Sequence, residues 1–199
     1  QVSNSRQGNC HHLVQFYENE NYLCNVVGDF LGEGLSTGEP VVVFAEQPRI
    51  SAFSSALQAR GIDVVRALQQ DRLLLKDAHS MLRTFMVGDR PDYDLFRSNI
   101  GGLVEQYGGN RDTVRAYGVL VDVLWRSGRQ AAAVRVEELW DELADEYALH
   151  LLCAYPLRNF RTASDSEHFE AICARHGKVF PAETLPIPVA SEDQAREIM

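Results

Sequence analysis

Seven residues combine side chains and positions suited to holding a small molecule: His12, Tyr17, Glu46, Arg115, Tyr117, Asp122 and Trp125. Each falls near the end of a short apolar run, where strands of a parallel sheet hand over to loops and where ligands of such sheets bind. Arg115 brings a fixed positive charge for an anionic group. Tyr117 and Trp125 bring aromatic walls with a polar tip. The same residue types are also what core packing and rim ion pairs use, because charged side chains are mostly solvated.

Other chemistries are poorly served. A phosphate cradle needs a glycine-rich turn after a central strand, but the turn after Val41–Ala45 is Glu46-Gln47-Pro48-Arg49. It has no Gly, Lys, Ser or Thr, and Glu46 would repel a phosphate. There is no GxSxG elbow for a nucleophilic serine. Cys10, His11 and His12 with Cys24, His150 or Cys153 contain metal-binding side chains, but their spacing matches no zinc pattern. Cys24 sits on a helical stripe and Cys153 in an apolar run, where cysteine is commonly a small hydrophobe. His11 and His12 point to opposite faces of a strand, so at most one ring enters a site. The expectation is a chain without catalytic residues, metal or cofactor.

The elements that must position these residues alternate between strand and helix. A strand ending at Tyr17 is closed by Glu18-Asn19-Glu20, and Asn19 or Asn21 can cap the helix that follows. That helix carries Tyr22, Leu23, Val26, Val27, Phe30, Leu31 and Leu35 on one stripe and stops at Gly38-Glu39-Pro40. Val41–Ala45 is apolar on both faces, as a central parallel strand is. A helix spans 48–60, with Pro48 in its first turn. Ile62–Ala67 and Leu73–Lys76 are strand candidates, the first weakened by its helical continuation. A helical stretch around Met81–Met86, a loop at Gly88–Asp92 and a helix at Tyr93–Tyr107 follow. Val114–Val121 reads as a buried strand. After the Arg126-Ser127-Gly128 turn comes a helix with Ala132, Val136, Leu139, Trp140, Leu143 and Tyr147 on one side. Leu149–Tyr155 is a further strand. This order predicts an α/β fold, a three-layer sandwich around a mostly parallel sheet. Residues 157–199, with a helix near Ser164–Gly177 and Pro181, Pro186 and Pro188 beyond it, read as a tail leaving a domain of residues 10–156.

With 45% hydrophobic and 24% charged residues, the 199-residue chain can build an ordinary core without disulfides or metal. A net charge of -9 argues against nucleic acid and anionic membranes as partners. No run approaches the roughly 20 apolar residues of a spanning helix, and no signal peptide opens the chain. Four scattered cysteines fit free thiols and a cytoplasmic location. The chain opens on Gln1, as a trimmed chain or a piece of a longer protein would.

Four stretches together resemble the MEDS domain, the methanogen/methylotroph sensory domain related to the DcmR regulator. They are HHLVQFYENENYL, FLGEGLSTGEPVVVFAE, VRAYGVLVDVLWRSGRQAAAVRVEELWDEL and LHLLCAYP. The most specific parts are His12–Tyr17, Gly34-Leu35 with Gly38-Glu39, Leu124-Trp125 with Gly128, Glu137 with Trp140, and the LLCAYP ending. The resemblance covers about residues 10–156. It implies a RecA- and KaiC-like fold whose phosphate loop is degenerate, and a sensory role in prokaryotic signalling with small, hydrocarbon-derived ligands. It also implies that the tail leads to a kinase or transcriptional output module beyond Met199. The chain departs from the pattern at Val119, where members often carry an acid after the glycine, and at Glu46, where a small or hydroxylated residue is common.

The reading that follows is a non-enzymatic sensor. It binds a small molecule at the carboxyl ends of the strands and signals to a kinase or regulator, or acts as a homodimer. The alternatives are a protein-interaction module using the helices at 131–147 and 164–177, and a residual nucleotide binder.

Overall fold

The computed structural model describes residues 12–108, 113–160 and 166–183. Among the described residues, six parallel strands form the central sheet: β1 (His12–Tyr17), β2 (Val41–Ala45), β3 (Leu73–Asp77), β6 (Val114–Gly118), β7 (Leu149–Pro156) and β8 (Lys178–Phe180). Their order across the sheet is β3-β2-β6-β7-β1-β8. A separate two-stranded hairpin pairs β4 (Met86–Val87) with β5 (Arg90–Pro91).

The order dictates the layers. Parallel crossovers are right-handed, so connections running one way across the sheet lie on one face and those running back lie on the other. From β1 to β2 and β2 to β3 the chain moves toward the β3 edge, through α1 (Glu20–Thr37), α2 (Gln47–Ala59) and α3 (Val64–Gln69). These pack together as the first outer layer. All later crossovers run back. They carry α4 (Ala78–Phe85), α5 (Tyr93–Phe96), α6 (Gly102–Gly108), α7 (Leu120–Arg126), α8 (Gln130–Glu146) and α9 (Ser166–Arg175), which form the second. A π-helical turn at Arg97–Gly101 joins α5 to α6, and a 3-10 turn at Leu157–Phe160 follows β7. The three-layer sandwich expected from the sequence is present, with an all-parallel sheet.

Local chemistry sets the element ends. Asn19 caps α1, its side-chain oxygen accepting the N–H groups of Asn21 at 2.7 Å and Tyr22 at 3.4 Å. Asn19→Ala is expected to cost about 1 kcal/mol of unfolding free energy, read as a lower urea midpoint at unchanged slope. Gly38 ends α1 at φ +93°, a conformation that penalises any side chain. Pro48 lies in the first turn of α2, where its missing N–H leaves nothing unsatisfied.

Four segments differ from the sequence expectation. The run Val114–Val121 is not one strand: β6 ends at Gly118 and α7 starts at Leu120. Ile62–Ala67 is not a strand, for Asp63 accepts the Arg66 N–H at 3.0 Å and starts α3. The loop at Gly88–Asp92 contains a strand of the small hairpin. Residues past Pro156 do not simply leave: α9 packs on α8, and β8 extends the sheet beside β1. Among the described residues no helix is long and apolar enough to cross a membrane.

Candidate functional site

The carboxyl ends of the strands gather much of the predicted set. Alternation along β1 and β6 sends Tyr17 and Tyr117 to the α1–α3 face, and both are fully buried. Arg49, in the first turn of α2, reaches down between them. Its Nη2 donates to the Tyr17 hydroxyl and to Glu20 at 2.8 Å, and its Nη1 lies 3.6 Å from Asp122. Asp122 is in the first turn of α7 and fully buried. It accepts from Arg126 at 3.1 Å and from Asn159 at 3.0 Å. Arg126 also donates to Glu46 at 2.7 Å, and Glu46 pairs with His79 at 3.1 Å. Ionic and hydrogen-bond contacts therefore run unbroken from α1 to α4 across this edge.

The electrostatics follow from burial and pairing. Burial pushes both tyrosine hydroxyls up, so they stay protonated. Burial also works against the Glu46 carboxylate, but its hydrogen bond with His79 and the charge of Arg126 outweigh it and hold it below the usual range. Tyr117 Oη and Arg49 Nη1 are buried yet have no hydrogen-bond partner among the described residues. The Tyr117 ring is fixed edge-on to Phe53 at 5.1 Å, so its hydroxyl has little freedom to find one.

The turns at this edge are short. β1 passes to α1 through Glu18 and Asn19, and β2 to α2 through Glu46 alone, with no glycine in either. The anion position at the β1 turn is filled from within the chain. The Glu183 carboxylate accepts the N–H groups of Asn19 at 2.6 Å and Glu18 at 3.2 Å.

Three predicted residues lie apart from this group. Arg115 is the second residue of β6 and sits at the amino edge of the sheet, not the carboxyl edge. Its guanidinium is held by Glu33 and Glu39, each at 2.6 Å, by the Phe30 carbonyl at 2.9 Å and over the Phe30 ring. That cation is already paired within the chain. Trp125 is at the carboxyl edge on the opposite face from Tyr17. Its ring meets Phe160 and His168, both at 5.3 Å. Phe160, Phe169, Leu157 and Glu170 line a cleft of about 260 Å³ nearby. His12 opens β1 and faces α8, far along the strand from Tyr17.

Around His12 is a second polar cluster that sequence reasoning did not assemble. His12, Glu137 on α8, Cys153 on β7 and His176 after α9 are all buried, with one ligand-type atom from each within 4.8 Å of the others. Tyr155 donates its hydroxyl to Glu137 at 2.6 Å, and His12 Nδ1 meets Asp141 at 2.7 Å. Burial opposes the charge on Glu137, yet nearby His176 and His12 and the Tyr155 hydroxyl bring its carboxyl down to about 2. Burial and the neighbouring carboxylate push the Cys153 thiol up to about 12. Of the other metal-binding side chains named from the sequence, Cys24 lies on α1 across the sheet and His150 pairs with Glu39 at 3.6 Å. Cys10 and His11 lie outside the described residues.

Two signals for this cluster were present. Glu137 falls one residue after Val136 and three before Trp140, inside the apolar stripe of α8, where a carboxylate needs partners. His176 lies just past a helix that the sequence assigned to a tail. Arg49, which organises the carboxyl edge, carried no signal beyond its place in a first helical turn.

The family model for MEDS, described as the methanogen/methylotroph, DcmR sensory domain, matches residues 11–183. No curated protein matches the chain. The match runs through α9 and β8 and so includes every strand of the sheet.

Proposed function

The chain belongs to the MEDS family of sensory domains, and from that premise we propose that it is a non-enzymatic sensor of a small organic molecule bound at the carboxyl edge of the sheet. One observation carries this reading: Tyr117 Oη and Arg49 Nη1 are buried at that edge and, among the described residues, lack hydrogen-bond partners. Buried donors without acceptors cost about 1–3 kcal/mol each, so a fold that keeps two together favours a ligand that supplies the missing oxygen. The ligand expected is small and bears an acceptor such as a carbonyl, carboxylate or hydroxyl oxygen. Tyr17 and Asp122 hold Arg49 in place for it, and Glu46 closes the edge through Arg126. The aromatic cleft beside Trp125 offers an apolar wall at the same end of the sheet.

The route to an output runs through the end of the chain. Glu183 is pinned to the β1 turn, two residues from Tyr17. A ligand that shifts this turn alters how the following segment is held, and a kinase or transcriptional module attached there reads the change. The sensor works in the cytoplasm.

Thermal unfolding of the full chain against a panel of small oxygenated organics tests the reading. A true ligand at a hundred times its Kd adds about 2.7 kcal/mol of stability. Tyr117→Phe removes only the unpartnered hydroxyl. Without ligand it is expected to leave stability unchanged or raise it by about 1 kcal/mol, while the ligand-induced gain falls sharply. A ligand whose gain survives Tyr117→Phe and Arg49→Met binds elsewhere. Shifts with ATP alone point to nucleotide binding, and no shift with any compound alongside dimers in solution points to an interaction module.

A further inference from the structure

We propose that His12, Glu137, Cys153 and His176 form a closed tetrahedral site for a divalent transition-metal ion of the zinc type. The donor set is the first argument. Two imidazoles, a thiol and a carboxylate are the side chains such ions take, drawn here from β1, α8, β7 and the residue after α9.

Spacing is the second. His12 Nε2 lies 3.4 Å from Glu137 Oε2 and 3.5 Å from Cys153 Sγ. Glu137 Oε2 lies 3.8 Å from Cys153 Sγ and 3.6 Å from His176 Nε2. The nitrogen–oxygen separations are longer than good hydrogen bonds. They are close to the edges of a coordination tetrahedron. Metal–nitrogen and metal–oxygen bonds of about 2.0–2.1 Å with a metal–sulfur bond of about 2.3 Å give edges of about 3.3–3.6 Å.

The outer contacts are the third. His12 Nδ1 is 2.7 Å from Asp141 Oδ1, and His176 Nδ1 is 2.7 Å from the Ile172 carbonyl. Each partner fixes the proton on Nδ1 and turns Nε2 inward as a lone-pair donor, which is how metal-bound histidines are oriented. Tyr155 engages Glu137 Oε1 and leaves Oε2 for the site. A cluster of ion pairs alone would explain Asp141–His12 and Tyr155–Glu137. It reaches His176 Nε2 only through the 3.6 Å approach of Glu137, and among the described residues leaves that buried nitrogen without a hydrogen bond.

Four protein donors leave no open position for a substrate, so the ion is structural. Its effect is to fasten the residue after α9 to the sheet. The Gly177 N–H already donates to the His12 carbonyl at 2.9 Å, and β8 starts at the next residue. The ion therefore sets whether the segment leading to Glu183 stays docked. This inference is independent of the small-molecule reading.

Cobalt tests it. The untagged full chain, chelated and then titrated with Co²⁺ alone under reducing conditions, is expected to bind one equivalent with the strong visible bands of tetrahedral cobalt and a near-ultraviolet thiolate band. Cys153→Ala should abolish the thiolate band, and His176→Gln should weaken binding at least about tenfold. Asp141→Asn, which removes only the outer carboxylate, should weaken it about 10–100-fold while keeping the spectrum. Circular dichroism establishes that each variant is folded. Weak octahedral bands with the folded wild-type chain, or a thiolate band that survives Cys153→Ala, overturn the site. If Cys153→Ala does not fold, the decision passes to His176→Gln: undiminished affinity with tetrahedral bands overturns the site, and weakened binding supports it.

Discussion

Trp140→Ala is expected to lower the unfolding free energy by about 3–5 kcal/mol, the range for truncating a large aromatic in a packed core. The indole is 1% exposed on the inner side of α8. It lies 5.9 Å from the Phe44 ring on β2 and meets the Phe96 ring of α5 edge-on at 5.3 Å. It also covers Gly118 at the end of β6, where an added Cβ would stand 3.9 Å from its ring. One side chain thus fills the space between two central strands and α5. Domains are typically stable by only 5–15 kcal/mol, so the variant should lose a large share of its stability. Urea denaturation followed by circular dichroism reads this directly. Trp140→Phe keeps an aromatic ring in contact with Phe96 and should lose much less. Equal losses for the two variants would mean that the ring's packing is not what holds this region.

The parts of the fold that were legible are those where hydrophobic period and end signals agree. β1, α1, β2 and β7 carry clean apolar patterns, and Asn19, Gly38 and Pro48 mark boundaries with side chains that do one thing well. The β6–α7 junction was not legible for a physical reason. Every residue from Val114 to Trp125 is buried. A helix buried on all sides has no polar stripe, so its first turn reads as more of the preceding strand. The edge strand β8 was hidden by brevity. Three residues, partly exposed and followed by Pro181, carry no alternation to detect.

The site divides along similar lines. Tyr17, Glu46, Tyr117 and Asp122 converge because each lies at or just past a carboxyl end, which a parallel sheet places on one edge. Arg115 and His12 do not, because each stands at or next to the amino start of its strand. Chain direction alone places them on the opposite edge, and alternation separates their faces. Arg49 and Glu183 could not be placed without coordinates, since their roles depend on which helix and which terminus reach that edge.

The second large effect lies one turn before Trp140 on the same helix and has the opposite physical origin. Glu137→Ala is expected to cost about 3–5 kcal/mol, the range for removing one partner of a buried ion pair. The side chain is 1% exposed, and its loss leaves the Tyr155 hydroxyl without its 2.6 Å acceptor. It also removes the nearest carboxylate to the His12 and His176 Nε2 atoms, at 3.4 and 3.6 Å. Asp141 then remains as the carboxylate paired with His12, through Nδ1. Glu137→Gln preserves the shape and an acceptor for Tyr155 while removing the charge, so it should cost less, about 1–3 kcal/mol. The two origins separate in a double-mutant cycle. Trp140→Ala should show the same loss whatever stands at position 12. Glu137→Leu should instead be partly relieved by His12→Leu, because the double variant no longer buries the His12 Nε2 without the carboxylate 3.4 Å from it, while the cost at His176 is common to both backgrounds. A coupling of about 1 kcal/mol or more, measured in chelator, identifies the cluster as an electrostatic unit of the core. Strict additivity at positions 12 and 137 would show that these side chains do not interact and would remove the basis for treating them as one site.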